Sequence, residues 1–419
     1  MVAFSGGADS TALLCLTRRY VEARSIELSC IHVDHGLSVD SANWAKHCAG
    51  VARELQTDYR LVKLNSSPGP GESVEAWARE ARYRAMQADL DIGDALLTAH
   101  HADDQAETLL MRLFSGAGPH GLAAIVPFSK FGRACLYRPL LDWRRSELED
   151  VVRRAEIECV EDPMNRDTRF LRAQMRHELL PEIIQRYPQA VVNLGRSARI
   201  QREVADYLDD RCNDILKLEN LPDGQLRIST LRQMSVLMQK MLIRALALGN
   251  GLDVPGERHL EQVMLQLCGE QYAATACVKW GENQLRRYRD VIYALRGGQQ
   301  QADLREYRID PGTPVNSGCG LAELVEHQGP GLDPQSVGDV PMTIRFRRGG
   351  ESCRPHGRGG THKLKKLFQE WGVPPWERVS APLLYVGEEI AAVGNFCLCD
   401  PFASSDGKNW QLRWTPHQN

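Results

Sequence analysis

Short apolar segments alternate with amphipathic helical patterns along the first 180 residues of the chain. The pattern predicts strands at 1–4, 26–34, 60–64 and 95–99, and helices at 9–20, 41–55, 72–90 and 103–113. Strands and helices that alternate at this spacing predict an α/β fold, a parallel twisted sheet with helices on both faces. Because ligands of such sheets bind beyond the carboxyl ends of the strands, we expect the functional residues in the loops that follow the strands.

The pattern changes around Pro181 and Pro188, which place the end of a predicted first domain at residue 188. Helical patterns at 189–219, 229–248 and 257–267, then a hairpin at 275–278 and 284–295, predict a mainly helical second domain over 189–297. Residues 298–339 are rich in Gly, Pro and Gln, which predicts a linker with some strand. The last segment, 340–419, begins basic and becomes apolar, so we expect a small α+β third domain.

Composition narrows the possible partners. The net charge is −3 over 419 residues, so any polyanion has to be met by a local basic patch. No apolar run of about 18 residues occurs, so we expect no membrane-spanning helix. The N-terminus lacks signal-peptide features and the twelve cysteines form no C-x-x-C pair, so we expect a cytoplasmic protein with reduced thiols. The closest pair, Cys397 and Cys399, is a weak metal signal by itself.

The loop after the first predicted strand contains small residues and one acid, in the order Ser5-Gly6-Gly7-Ala8-Asp9-Ser10. Small residues let backbone N–H groups converge on an anion, and the following helix adds the partial positive charge of its N-terminus. The loop therefore predicts phosphate binding, and Asp9 would orient a group or bind Mg²⁺. It lacks the ending of a Walker A motif, so a tight turn without a ligand is the alternative.

Acidic residues follow two other predicted strands. Asp34 ends the second strand, where it either caps a polar turn or belongs to the same site as the loop. Asp104 and Glu107 begin the helix after the fourth strand and share one face of it, so they can bind an ammonium group or Mg²⁺. The alternative is that they lie there because the helix dipole favours acidic residues at its N-terminus.

Basic residues are concentrated in three segments. Arg79 and Arg82 lie within one turn of the helix at 72–90, where they either stabilise charge on a transferring phosphoryl group or form a solvated face. Arg169, Arg172 and Arg176 are dense enough to contact an RNA backbone. Within 345–366 eight basic residues stand against one acid, Glu351: Arg345, Arg347, Arg348, Arg354, Arg358, Lys363, Lys365 and Lys366. Phe346, Phe368, Trp371 and Trp376 interleave with these residues or follow them, so the segment predicts stacking on unpaired bases, and a solvated loop is the alternative.

Six motifs occur in order along the chain: S-G-G-x-D-S, H-V-D-H-G-L, A-R-x-x-R-Y, H-x-x-D-D-Q-x-E-T, R-P-L-L and E-D-P-x-N-x-D-T-R. Together they resemble the tRNA(Ile)-lysidine synthetases of the N-type ATP pyrophosphatase superfamily, and the likeness covers residues 1 to about 180 tightly. The first motif alone is typical of the whole superfamily. The combination of the second and fourth motifs is much more specific.

The resemblance implies a Rossmann-like ATP pyrophosphatase domain and a reaction in two steps. ATP, with Mg²⁺, adenylates the C2 carbonyl oxygen of the wobble cytidine in an isoleucine tRNA with a CAU anticodon, and pyrophosphate leaves. The ε-amine of free lysine then attacks C2 and displaces AMP, which converts codon specificity from AUG to AUA. The expected partners are this tRNA and lysine, and the sequence leaves open whether the chain forms a homodimer.

The resemblance also implies residue roles. The pyrophosphate part of ATP is bound by the loop residues Ser5, Gly6, Gly7, Ala8, Asp9 and Ser10, and Asp9 binds Mg²⁺. Asp104 and Glu107 bind the lysine ammonium. Asp34 orients the nucleotide or the attacking amine, and Arg79 and Arg82 steady the adenylate and the RNA. The tRNA is contacted by Arg169, Arg172, Arg176, Arg345, Arg347, Arg358, Lys363, Lys365 and Lys366.

Three alternative functions fit the sequence less well. A tRNA 2-thiolation enzyme of the same superfamily needs sulfur-handling cysteines, typically C-x-x-C pairs, and the chain has none. NAD or GMP synthetases share the phosphate loop but have no reason for a basic C-terminal segment. A nucleotide-sensing module without catalysis is disfavoured by Asp104 and Glu107, because ATP phosphates repel carboxylates that serve no purpose.

Overall fold

The computed structural model describes residues 1–36, 40–64, 69, 74–161, 171–269, 276–297 and 305–416. The chain forms two compact units, Met1–Asp210 and Arg211–Asn419. None of the described helices is long and apolar enough to cross a membrane.

The first unit alternates strands and helices along the chain. Its described strands are β1 Val2–Ala3, β2 Ser29–Asp34, β3 Asp58–Lys63, β4 Ala95–Leu97, β5 Phe128–Phe131 and β6 Ala134–Tyr137. Its described helices are α1 Ala8–Val21, α2 Ser41–Glu54, α3 Val74–Ala88, α4 Ala102–Phe114, α5 Pro119–Leu122, α6 Arg145–Ala155, α7 Leu171–Gln174 and α8 Leu180–Arg186. A π-helical turn, Met175–Leu179, joins α7 to α8, and α9, Ala190–Leu218, crosses the boundary between the units.

These strands form one sheet in the order β3-β2-β1-β4-β6-β5, and β5 alone among them is antiparallel to its neighbour. Ile31 and Val33 of β2 belong to one apolar cluster with α3, whereas Cys30 belongs to another with α1, α2 and α6. Alternate residues of a strand point to opposite faces, so helices cover both faces of the sheet. The predicted fold class is confirmed.

The strand order reverses beside β1. Val2 pairs with Cys30 of β2 on one side and with Leu97 of β4 on the other. At such a switch point the loops after neighbouring strands diverge and leave a crevice for ligands. The loop after β1 and the loop after β4 therefore flank the same crevice.

The second unit consists of short helices and antiparallel strands. Its described helices after α9 are α10 Ile228–Arg232, α11 Val236–Gly249, α12 Glu257–Gln266, α13 Pro334–Val337 and α14 Leu364–Glu370. Its described strands are β7 Gln225–Arg227, β8 Cys277–Trp280, β9 Asn283–Tyr288, β10 Val291–Arg296, β11 Tyr307–Arg308, β12 Val315–Asn316, β13 Gly320–Gln328, β14 Gly331–Leu332, β15 Met342–Phe346, β16 Ser352–Cys353, β17 His362–Lys363, β18 Pro382–Val386, β19 Glu389–Val393, β20 Cys397–Leu398, β21 Ala403–Ser404 and β22 Lys408–Pro416.

The region predicted as mainly helical contains a four-stranded sheet of order β7-β10-β9-β8. The strand predicted at 284–295 is a hairpin of β9 and β10, because Arg289 turns the chain with a positive φ of 54°. The helical pattern at 229–248 is divided into α10 and α11. The hydroxyl of Ser235 accepts the N–H of Met238 and so begins a new helix.

The segment predicted at 298–339 as a linker with some strand is folded in its described part. Residues 305–339 contain β11 to β14 and α13, and β13 pairs with β22 along its whole length. Leu324 and Leu332 are completely buried in the core of the two five-stranded sheets, β11-β15-β18-β19-β20 and β12-β13-β22-β14-β21. The Gly and Pro residues of this stretch mark tight turns between short strands rather than a flexible connection.

Candidate active site

The loop between β1 and α1 is organised by hydroxyl groups. Ser5 and Ser10 have their Oγ atoms 3.0 Å apart, and the N–H of Ser5 donates to Ser10 Oγ at 3.2 Å. The hydroxyls of Ser10 and Thr11 both donate to the carbonyl oxygen of Gly7 at 3.0 Å. Gly7 is the N-cap of α1 and offers no side chain to the helix N-terminus. The first N–H groups of α1, from Ala8 onward, are therefore left for an anion.

The back of this loop is fixed by its neighbours. Gly6 has a φ of 81°, and a Cβ atom there would lie 2.9 Å from Cys48 Sγ on α2. The carbonyl oxygen of Gly6 accepts the N–H of Val160 at 2.9 Å. Glycine is required at position 6 both by the backbone conformation and by the space available.

His101 connects the phosphate loop to the loop after β4. Its side chain is 1% exposed, and its Nε2 lies 3.6 Å from Asp9 Oδ2 and 3.4 Å from Asp104 Oδ2. Its Nδ1 accepts the N–H of Asp104 at 3.4 Å, while Asp104 Oδ2 accepts the N–H of His101 at 3.1 Å, a capping box that begins α4. Burial lowers the pKa of His101, but hydrogen bonding to Asp9 and the charges of Asp104, Asp9 and Asp103 outweigh it, so the pKa is raised.

Asp104 and Glu107 are bonded to two arginines. Arg172 donates from Nη2 to Asp104 Oδ1 at 2.9 Å and from Nε to Glu107 Oε2 at 3.1 Å. Arg176 donates to Asp104 Oδ1 at 2.8 Å and to the two carboxylate oxygens of Glu107 at 2.7 and 3.1 Å. Burial raises the pKa of Asp104, but His101, Arg172 and Arg176 outweigh this effect and lower it. Two carboxylates and two guanidiniums thus form one cluster without net charge.

This cluster joins residues for which different roles were expected. Asp104 and Glu107 were expected to bind the lysine ammonium, whereas Arg172 and Arg176 were expected to contact tRNA. Their shared hydrogen bonds mean that neither pair can meet a ligand without affecting the other. Arg176 lies in the π-helical turn, a feature that occurs frequently at functional sites.

The other residues predicted for the first unit that the structure describes lie on β2 and α3. Asp34 is buried, and its Oδ1 accepts the N–H of Gly36 at 2.9 Å. Arg82 of α3 has its Nη2 3.3 Å from His35 Nε2. The guanidinium of Arg79 lies 5.2 Å from the centre of the Tyr83 ring. Arg169 lies outside the described residues.

Sequence reasoning missed three residues of this region. His100, His101 and Arg138 were present in the motifs but received no role in the site. Burial lowers the pKa of His100 to about 4, so its ring is neutral, with Nδ1 3.0 Å from the hydroxyl of Thr98. Arg138 is half-buried, and its Nη1 donates to the carbonyl oxygen of Val126 at 2.7 Å. Which histidine faces Asp9 depends on the turn after β4, and no spacing rule predicts that.

Several arginines of the basic segment have acidic partners in the second unit. Arg345 donates from both Nη atoms to Glu388, at 3.0 and 3.1 Å. Arg358 donates to Glu370 at 2.6 Å, and Arg347 Nε lies 3.6 Å from a carboxylate oxygen of Glu351. These pairs reduce the positive charge that the arginines offer to an RNA.

The lysines of the same segment are exposed. Lys363 ends β17, and Lys365 and Lys366 lie in the first turn of α14. Phe346 and Phe368 are buried in apolar clusters, so the expectation that they stack on bases is wrong. Both rings pack in the core, whereas the exposed lysines can be reached by a polyanion.

Comparison with known proteins gives three family matches, which follow one another along the chain. A PP-loop domain matches residues 1–183, a TilS substrate binding domain matches 226–293, and a TilS substrate C-terminal domain matches 342–414. The tRNA(Ile)-lysidine synthase of Methylococcus capsulatus is 36% identical over 99% of this chain and 96% of its own length. Those of Alkalilimnicola ehrlichii (37%, covering 97% and 91%) and Coxiella burnetii (33%, covering 98% and 91%) are similarly close.

The chain belongs to the tRNA(Ile)-lysidine synthase family. This membership confirms the resemblance that the six motifs indicated, and it makes the chain a ligase that uses ATP through its PP-loop domain. The family matches cover both units, so the phosphate loop and the basic segment belong to one enzyme.

Proposed function

We propose that this protein ligates lysine to C2 of the wobble cytidine of an isoleucine tRNA with a CAU anticodon. ATP adenylates the C2 oxygen and releases pyrophosphate, and the lysine ε-amine then displaces AMP. The observation that carries the proposal is the contact between Asp9 and His101, since it joins the phosphate loop to the buried acidic pair in one crevice. Activation of the base and delivery of the amine require these two functions side by side.

ATP and Mg²⁺ fit the residues around the phosphate loop. The free N-terminus of α1 and the hydroxyls of Ser5 and Ser10 suit the pyrophosphate part of ATP. Asp9 Oδ1 is buried and has no hydrogen-bond partner among the described residues, which suits a carboxylate oxygen that binds a cation. In our proposal Ser5, Gly6, Gly7, Ala8 and Ser10 hold the phosphates. Asp9 binds the Mg²⁺, which neutralises charge on them.

Lysine binding requires a change in the buried cluster. Asp104 and Glu107 already face two guanidiniums, so a lysine ammonium added to the cluster would leave one excess positive charge in a buried place. Such a charge is costly unless one arginine leaves. We propose that Arg172 and Arg176 exchange these carboxylates for tRNA phosphates when the tRNA binds. The carboxylates are then exposed to lysine only when the tRNA is in place.

Residues of β2 and α3 complete the proposed site. Asp34 is the last residue of β2, the strand next to β1, and this position supports our assignment of Asp34 to orienting the nucleotide or the amine. Arg79 and Arg82 come from α3 and carry the positive charge that an adenylate and an RNA phosphate need. None of these roles needs a covalent enzyme intermediate.

The decisive experiment measures incorporation of labelled lysine. With ATP and Mg²⁺, the purified full chain is expected to transfer lysine to an isoleucine tRNA transcript with a CAU anticodon. A transcript with uridine in place of the wobble cytidine is the matched control and should give background counts only. Equal incorporation into both transcripts, or none into either, contradicts the proposal.

We expect the exposed lysines of the basic segment to contribute to tRNA affinity. Replacing Lys363, Lys365 and Lys366 with Gln should weaken tRNA binding about tenfold near physiological salt and reduce the slope of log K against log salt by about 2, since fewer counterions are released. Filter binding at several salt concentrations measures both quantities. Lys279, Lys408 and Arg413 are also exposed in the second unit, and their joint replacement with Gln is the matched control. An unchanged slope would mean that the three lysines are solvated and do not contact the tRNA.

A further inference from the structure

Three cysteines meet in the second unit. Cys353 ends β16, Cys397 begins β20, and Cys399 follows β20. Their Sγ atoms all lie within 4.8 Å of one another, and those of Cys397 and Cys399 are 4.0 Å apart. Among the residues that the structure describes, this is the one group of three or more Cys, His, Asp or Glu side chains with such spacing. The sequence pointed only to Cys397 and Cys399, because Cys353 is 44 residues away from the nearer of them.

Backbone hydrogen bonds bring the two cysteine segments together. Pro355 and Cys399 form an antiparallel bridge. The N–H of His356 donates to the carbonyl oxygen of Leu398 at 2.9 Å, and the N–H of Asp400 donates to that of Arg354 at 2.8 Å. The thiols are therefore placed by main-chain pairing and do not depend on contacts among themselves. The arrangement is preorganised for a shared ligand.

The sulfur distances suit a metal ion. A tetrahedral site with Zn–S bonds of about 2.3 Å separates its sulfur atoms by about 3.8 Å. The separation of 4.0 Å between Cys397 and Cys399 is close to that value. Cys353 and Cys399 are almost completely buried, whereas Cys397 is partly exposed, so an ion has an entry path and a fourth coordination position on the Cys397 side. A disulfide joins only two thiols, so oxidation within the cluster would leave the third cysteine unpaired.

We propose that Cys353, Cys397 and Cys399 bind one thiophilic divalent cation, Zn²⁺, as thiolates. Binding releases the thiol protons to solvent and leaves the fourth position to water. The ion ties the hairpin of β16 and β17, which ends at Lys363, to β20 of the neighbouring sheet. It thereby fixes one end of the basic segment and has a structural role away from the phosphate loop. The site is independent of the proposed reaction and can be tested without an activity assay.

The test loads the reduced full chain with Zn²⁺, removes unbound ion by gel filtration and measures metal by mass spectrometry. We expect about one equivalent in the unaltered chain, and a loss of affinity of at least tenfold in Cys397→Ser, the variant at the partly exposed and least disruptive position. Cys319→Ser is the matched control, because Cys319 is a buried cysteine of the same unit outside this cluster. Loading with Co²⁺ should give a thiolate-to-metal charge-transfer band in the near ultraviolet that Cys397→Ser weakens.

Two outcomes would overturn the proposal. One is a chain that retains less than about a tenth of an equivalent after loading, although its circular dichroism shows that it is folded. The other is equal metal retention by Cys397→Ser and the unaltered chain. In either case the three cysteines are core residues that happen to meet.

Discussion

Replacing Glu107 with Gln is expected to raise the KM for lysine about 100-fold and to leave ATP affinity within about twofold of its original value. The Glu107 side chain is 1% exposed and accepts three hydrogen bonds from Arg172 and Arg176. Gln keeps the shape but removes one of two negative charges, so the ammonium of lysine loses half of its counter-charge in a buried place. The phosphate loop lies on the other side of His101 and keeps its own hydrogen bonds.

The same substitution also affects stability, and this effect has to be separated from the loss of lysine binding. Removing one partner of a buried charge cluster leaves guanidiniums unpaired and is expected to cost about 3–5 kcal/mol in the free energy of unfolding. A double variant, Glu107→Gln with Arg176→Met, should recover part of that stability without recovering the KM for lysine. Recovery of both would show that Glu107 acts only on the fold.

A matched control comes from an exposed ion pair of the same unit. Glu149 on α6 lies 3.2 Å from Arg145 with both side chains more than 40% exposed. Glu149→Gln should change stability by less than about 0.5 kcal/mol and leave lysine kinetics unchanged. Steady-state kinetics at saturating tRNA, ATP binding by calorimetry and urea unfolding give the three readouts. If Glu107→Gln weakens ATP affinity more than it raises the KM for lysine, Glu107 does not bind the lysine ammonium.

The fold of the first unit could be predicted because its periodicities are local. The helix predicted at 103–113 is α4, Ala102–Phe114, and the strand predicted at 95–99 is β4, Ala95–Leu97. Turns were harder to predict, since they depend on single residues. Arg289 adopts a positive φ that the sequence does not signal. The Gly and Pro residues between 305 and 339 connect strands whose partners, such as β22 for β13, are far along the chain.

In the candidate site, too, local features could be predicted and contacts between distant segments could not. The sequence identified Ser5–Ser10, Asp34, Asp104 and Glu107 because each ends or follows a strand of the parallel sheet, where such sheets bind their ligands. The bonds from Arg172 and Arg176 to the acidic pair span more than 60 residues of sequence, and no spacing predicts them. The cysteine cluster was missed for the same reason, since Cys353 joins its partners only through the pairing of distant segments.

Replacing Asp9 with Asn is expected to slow adenylation of the tRNA about 100- to 1,000-fold. Asp9 Oδ1 is buried without a hydrogen-bond partner among the described residues, and Oδ2 lies 3.6 Å from His101. In our proposal the carboxylate brings Mg²⁺ to the pyrophosphate, and the neutral amide of Asn attracts the ion far less. Pyrophosphate release from ATP with tRNA present and lysine absent isolates this step from lysine attack.

The Mg²⁺ dependence separates a metal ligand from a residue that only shapes the loop. If Asp9 binds Mg²⁺, the variant should need much more Mg²⁺ for half-maximal pyrophosphate release, and part of its rate should return at high Mg²⁺ concentration. Asp58→Asn is the control, because Asp58 is an exposed carboxylate on β3 that lies 3.7 Å from Arg60. It should leave both the rate and the Mg²⁺ requirement unchanged. The contrary outcome is a low rate of pyrophosphate release by Asp9→Asn at every Mg²⁺ concentration, with an unaltered Mg²⁺ requirement. It would mean that Asp9 holds His101 in place and that another residue binds the metal.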